Sequence, residues 1–118
     1  MENIDILVAN ALQTEFDRSI IFHDNLPENG VYPMLSYTDL TESPALHADN
    51  RLYGIQHVIR VTIVTSGNAG INLLKEKVMR AMVGAGFMWE NTNKIRDDRE
   101  YYVSMDFSVG SLNNDTEE

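Results

Sequence analysis

The side chains that could do chemistry are few and scattered along the chain. There are three histidines, His23, His47 and His57, and no cysteine. A zinc site needs ligands that converge in space, commonly at close helical or loop spacing. No pair of these histidines has that spacing. His57 sits inside an alternating apolar segment, on the parity that reads as buried, which suits a hydrogen-bonded sheet histidine better than a ligand. His23-Asp24 could orient an imidazole, yet no serine stands in a Gly-x-Ser-x-Gly turn. Asp97-Asp98 and Asp106 could form a carboxylate cluster; a hairpin turn plus a solvated strand residue is the simpler reading. Gly67-Asn68-Ala69-Gly70 lies between a strand and a helix, where phosphates bind. It lacks the lysine and the glycine spacing of a phosphate loop. The sequence therefore predicts no catalytic residue, no metal site, no cofactor and no enzymatic role.

Charge points elsewhere. The formal net charge is −9 over 118 residues. Residues 1–50 hold nine acids and one base, Arg18, whereas residues 51–118 hold nine acids and eight bases. Duplex DNA is bound by neutralising phosphates with clustered Lys and Arg, and a chain this acidic is not built for that. Lys75, Lys77 and Arg80 do form a basic patch on one helix. It could meet the acidic half of a neighbouring copy, where complementary charge sets partner and register more than affinity; a solvated helix face is the plainer alternative.

The elements that position these residues follow from periodicity. Asn3 to Phe16 reads as an amphipathic helix, with Ile4, Leu7, Val8, Ala11 and Leu12 on one stripe. Ser19 to His23 is a short strand candidate. The Pro, Asn and Gly of Asp24 to Gly30 supply turn chemistry, and Val31 to Leu40 is a second strand with Pro33 near its start. Thr41 to Asn50 is polar and interrupted by Pro44, and reads as a protruding loop. Arg51 to Ser66 is the longest alternating stretch, with Tyr53, Ile55, His57, Ile59, Val61 and Ile63 on one parity. Its sixteen residues would span roughly 50 Å, more than the core of one small domain requires. Ala69 to Val83 is a second amphipathic helix, ended by Gly84 or Gly86. Phe87 to Ile95 and Tyr101 to Val109 form a closing hairpin around Arg96-Asp97-Asp98-Arg99.

The chain is thus predicted to be α+β: a two-layer sandwich in the order α-β-β-β-α-β-β. Its sheet of about five strands should be mostly antiparallel, with both helices on one face. Residues 1–110 form a single domain with the loop at 41–50, and residues 111–118 a flexible acidic tail. No apolar run is long enough to cross a membrane, and the first residues lack the basic start and apolar stretch of a signal peptide.

This layout resembles the tail terminator (tail completion, or tail-to-head joining) proteins of long-tailed, siphovirus-like phages. The resemblance is carried by Tyr32-Pro33-Met34-Leu35-Ser36-Tyr37, by the long loop after it, and by the strand ending Arg60-Val61-Thr62-Ile63-Val64-Thr65. The helix from Leu73-Leu74 through Met82 and the Gly86-Phe87 exit into the terminal hairpin complete it. It implies a structural virion protein without catalytic residues, assembled in the host cytoplasm and resident in the virion at the head-tail joint. It also implies a homo-oligomeric ring, a hexamer, that caps the tail tube. A tail tube protein would lie on one side and a head-completion or neck protein on the other, with DNA passing unbound and no membrane involved. On that view the intersubunit contacts are Thr41, Glu42, Leu46 and His47 of the loop and Arg51 and Tyr53 of the outer strand, with Lys75, Lys77 and Arg80 on the helix. Asp39, Glu42 and Asp49 would line an acidic bore, where like charge keeps DNA from sticking. Another neck or head-closure component is the alternative, and a small ligand-binding or enzymatic α+β domain a further one.

Overall fold

The long alternating segment is the centre of a five-stranded sheet. A computed structural model describes residues 4–28, 30–46, 52–67, 70–96 and 100–112, with backbone alone described for 41–46, 52–56 and 111–112. Strand β1 (Ile21–His23) pairs with β2 (Met34–Leu46), and β2 with β3 (Leu52–Thr65). β5 (Tyr101–Leu112) flanks β3 on its other side, and β4 (Met88–Arg96) closes the sheet in the order β1-β2-β3-β5-β4. Helix α1 (Ile4–Gln13) precedes β1, and α2 (Ile71–Gly84) lies between β3 and β4. The fold is α+β, with the predicted order of elements.

One face of the sheet carries the core. Ile59, Val61 and Ile63 of β3 and Val103, Met105 and Phe107 of β5 are fully buried. They pack in one cluster with Leu35 of β2, Val8 and Leu12 of α1, and Val78 and Met82 of α2. Each such side chain contributes about 1.5–3 kcal/mol through apolar burial, so this face holds the two layers together. Helix α2 ends as its glycines dictate. Gly86 takes φ +99°, and the Phe87 amide donates to the Met82 carbonyl at 3.0 Å. That left-handed cap turns the chain so that Phe87 re-enters the core.

Three local expectations are corrected. First, β1 begins at Ile21, because the Asp17 carboxylate accepts from the Ser19 amide at 2.8 Å and caps a 3-10 turn over Arg18–Ile20. Second, β1 pairs with β2 in parallel. The ten residues between them carry the chain back past a strand of only three, so a parallel return needs no long crossover. Third, the region 41–50 is not a loop throughout: β2 continues to Leu46, paired with β3 across a bulge at Asp39/Thr41. Pro44 is tolerated because β1 covers β2 only from Leu35 to Tyr37, leaving the outer edge of β2 open beyond that.

The pairing of β2 with β3 runs out to Leu46 and Leu52, and β5 accompanies it to the Gly54–Leu112 pair. Among the residues with described side chains, Ile59 is the last apolar residue of β3 in that direction in the buried cluster, and buried His57 follows it. From there the paired backbone continues for seven residues to Leu52, about 24 Å of strand. The molecule measures 50 × 24 × 24 Å, and this arm accounts for the long axis.

Candidate functional site

The chemistry-bearing residues are placed apart. His57 lies on the core-facing parity of β3, and its Nδ1 is 2.8 Å from Asp39 Oδ2. It is the hydrogen-bonded sheet histidine that the sequence suggested. His23 Nε2 lies 3.4 Å from Asp5 Oδ1 and 3.6 Å from Asp24 Oδ1, and its ring stacks on Tyr37. Asp106 is no solvated strand residue: it is buried on the sheet face opposite the helices, where both carboxylate oxygens accept from the Arg60 guanidinium at 2.8 and 3.1 Å. The register sets Arg60 directly across from Asp106. Asp97 and Asp98, its supposed companions, lie outside the described residues. No group of three or more His, Cys, Asp or Glu is placed to hold a metal among the described residues. Gly70 opens α2 in the left-handed conformation, without a side-chain cap hydrogen bond.

The residues expected at subunit contacts fall into two regions. Thr41, Glu42 and Leu46 lie in the outer part of β2 and Tyr53 in the outer part of β3, so their backbones belong to the arm. His47, Asp49 and Arg51 are outside the described residues. Asp39, expected on an acidic bore, sits at the root of the arm with its carboxylate engaged by His57. The basic residues of α2 do not act as one patch. Arg80 pairs within the chain with Glu15, at 3.2 and 3.3 Å. That contact holds the Glu15 carboxyl below its ordinary value. Lys77 places its Nζ 5.7 Å from the Phe16 ring centroid. Lys75 stands apart from both. Burial first, and then the charge of nearby Lys94, holds it below the usual lysine range.

Lys75 marks a cleft that periodicity did not reveal. It lies between α2 and edge strand β4, about 510 Å³ in volume, and is lined by Asn72, Lys75, Met79, Trp89, Thr92 and Met105 among others. A second hollow of about 540 Å³ shares Glu76 and Met79 and runs on along α2 to Val83 and Gly84. A bulge between Trp89 and Asn91 creates the lining. Regular alternation would put Trp89, Asn91 and Asn93 on one face. The extra residue instead sets Trp89, Thr92 and Lys94 opposite Phe107, Met105 and Val103, on the helix side. Trp89, the only tryptophan, remains 47% exposed, and its indole donates to Thr92 Oγ1 at 2.9 Å.

No protein-family model matches the chain, and no curated protein matches it. Solved structures do share its fold. A chain from the virion of a native gene transfer agent particle aligns with a TM-score of 0.57 at 17% identity, covering 89% of this chain and 84% of its own. Another, known by a sequence identifier alone, aligns with a TM-score of 0.55 at 11% identity over 92% of this chain and 89% of its own. Both likenesses extend over about nine-tenths of the chain, so the fold is one that also occurs in a virion particle.

Two surfaces stand out in the described chain: the outer edge of β2 beyond Tyr37, and the cleft lined by Lys75 and Trp89. Neither brings together a nucleophile, a base and an anion-stabilising group. Both have the character of contact surfaces.

Proposed function

We propose that the chain is a structural virion protein of a phage-like tail. It terminates the tail tube at the head-tail joint as a closed ring of identical copies, six in the arrangement implied by the family it resembles. The observation that carries this reading is the arm: a paired ribbon that runs about 24 Å from Ile59 to Leu52, with β2 alongside it to Leu46. Strands this long in a domain of this size offer backbone edge for contact with another subunit. The shared fold with a chain of a gene transfer agent virion supports the same class of role. In such a ring the tube protein lies on one face and a head-completion protein on the other, and DNA passes through without specific contact. The acidic first half suits that passage.

The test is the mass of the purified protein by light scattering, alone and with isolated tail tubes. The expected result is a discrete ring, formed alone or on tube ends. A monomer that never assembles on tubes overturns the reading. A ring that binds isolated heads but not tubes makes the chain a neck component instead.

A further inference from the structure

We infer that the cleft between α2 and β4 is the socket for the arm of a second copy of this chain, with Glu42 of the arm meeting Lys75 and Lys94. The inference rests on the self-assembly in the reading above, and not on the tail-terminating role.

Three features of the cleft specify an occupant. Its floor and wall are Met79, Met105 and Trp89, continued by Val83 along α2, so the occupant must bring apolar side chains. Lys75 and Lys94 stand together at its rim, and among the described residues neither forms an ion pair. Lys75 is half-buried and Lys94 beside it is exposed, with Glu76 also lining the cleft; like charges repel, and a further carboxylate near the two lysines relieves that repulsion. Finally, β4 is an edge strand. Its outer backbone groups can accept an extended segment as a further strand, the mode in which main-chain hydrogen bonds bind and side-chain pockets select.

The arm fits these requirements. Residues 39–50 contain Asp39, Glu42 and Asp49 and no Lys or Arg, whereas residues 71–96 contain five bases and two acids. The outer parts of β2 and β3 carry Leu46, Leu52, Tyr53 and Ile55 in sequence, which supplies apolar groups next to the acids. Its described part, up to Leu46, is already extended strand, so little ordering cost remains there on docking.

The contact must be between copies. Lys94 is level with Val103 and hence with Ile63 of β3, while the arm leaves the body at Ile59 and runs in the opposite direction. Glu42 pairs with His57, six residues or about 20 Å of strand from the level of Lys94, and its strand lies three places across the sheet from β4. A chain cannot fill its own cleft. One patch docking into a different patch is a heterologous contact, which closes into a ring or propagates as a filament.

Trp89 makes the test direct, because the sole tryptophan lies in the socket and reports its burial. Emission is followed on dilution from assembling to monomeric concentrations, alongside mass. The expected result is a red shift that tracks dissociation. The cysteine-free background allows a second readout. Glu42→Cys and Lys94→Cys variants are mixed and treated with a short bismaleimide, and a mixed dimer is expected. Lys75→Glu with Lys94→Glu should weaken assembly at least tenfold with an unchanged far-ultraviolet circular dichroism spectrum. Adding Glu42→Lys should recover most of the loss.

An oligomer whose Trp89 emission does not change on dissociation, with no mixed crosslink, overturns the socket and leaves the ring intact. An oligomer that passes both readouts but ignores tail tubes keeps the socket and overturns the tail role. A protein that stays monomeric under all these conditions overturns both.

Discussion

The pair of Arg60 and Asp106 makes an unequal prediction about its two members. They face each other on neighbouring central strands, joined by two hydrogen bonds of 2.8 and 3.1 Å. Their surroundings differ: the Asp106 side chain is 10% exposed and that of Arg60 is 40% exposed. Arg60→Met removes both donors from a carboxylate that water hardly reaches. Breaking a fully buried pair costs about 3–5 kcal/mol. The solvated guanidinium discounts that bound, and about 2 kcal/mol is expected from two charge-assisted bonds at this exposure. Asp106→Asn leaves a guanidinium that water can solvate and an amide oxygen that can still accept one bond, so about 1 kcal/mol is expected.

Urea denaturation followed by far-ultraviolet circular dichroism separates the two. With a slope of about 1.5 kcal/mol/M, Arg60→Met should lower the midpoint by roughly 1.3 M and Asp106→Asn by about half as much. In thermal melts the arginine variant should lose roughly 8 °C, from the unfolding entropy of a chain this long. The double variant should recover about 1 kcal/mol relative to the sum of the singles, since each single change already breaks the same contact. Equal costs for Asp106→Asn and Arg60→Met would rule out unequal exposure as the deciding factor. Additivity within about 0.3 kcal/mol would show that the pair contributes no coupling.

Two further perturbations test the helix ends and the carboxylates. Gly84 lies in the last turn of α2 with nothing within 4 Å of an added Cβ, whereas Gly86 has φ +99°. Gly84→Ala should therefore stabilise by about 0.5 kcal/mol, and Gly86→Ala should destabilise by about 1 kcal/mol; equal signs in matched urea titrations would defeat this account of the cap. Glu15, Asp17 and Glu100 all have carboxyls held below their ordinary values, chiefly by hydrogen bonds from Arg80, Ser19 and Tyr102 respectively. A lowered folded-state value stabilises the fold above the unfolded-state pKa, and that stability is lost as pH falls through the folded-state value. These groups should leave urea midpoints level from pH 7 to about 5 and lower them in stronger acid, with a shallower fall in Arg80→Gln; an unchanged fall in that variant would count against the Glu15 contact.

The body of the fold was legible because its elements bury one face each. The stripes of α1 and α2 and the alternation of β3 and β5 reflect a single covered side, so period and burial carry the same information. Where that coupling ends, the sequence becomes silent. Thr41-Glu42-Ser43-Pro44 shows no apolar alternation and reads as a loop, although its backbone pairs with β3. Asp106 occupies the polar parity of β5 and reads as solvated, because its burial depends on Arg60, forty-six residues earlier. The lysine cleft was hidden for a third reason. A one-residue bulge moves Thr92 and Lys94 onto the helix side with Trp89, and a bulge changes parity without changing composition. The same logic joins the two unpartnered surfaces. In the proposed socket, the ribbon and the cleft would be the two halves of one contact between copies, whose pattern no single chain can display.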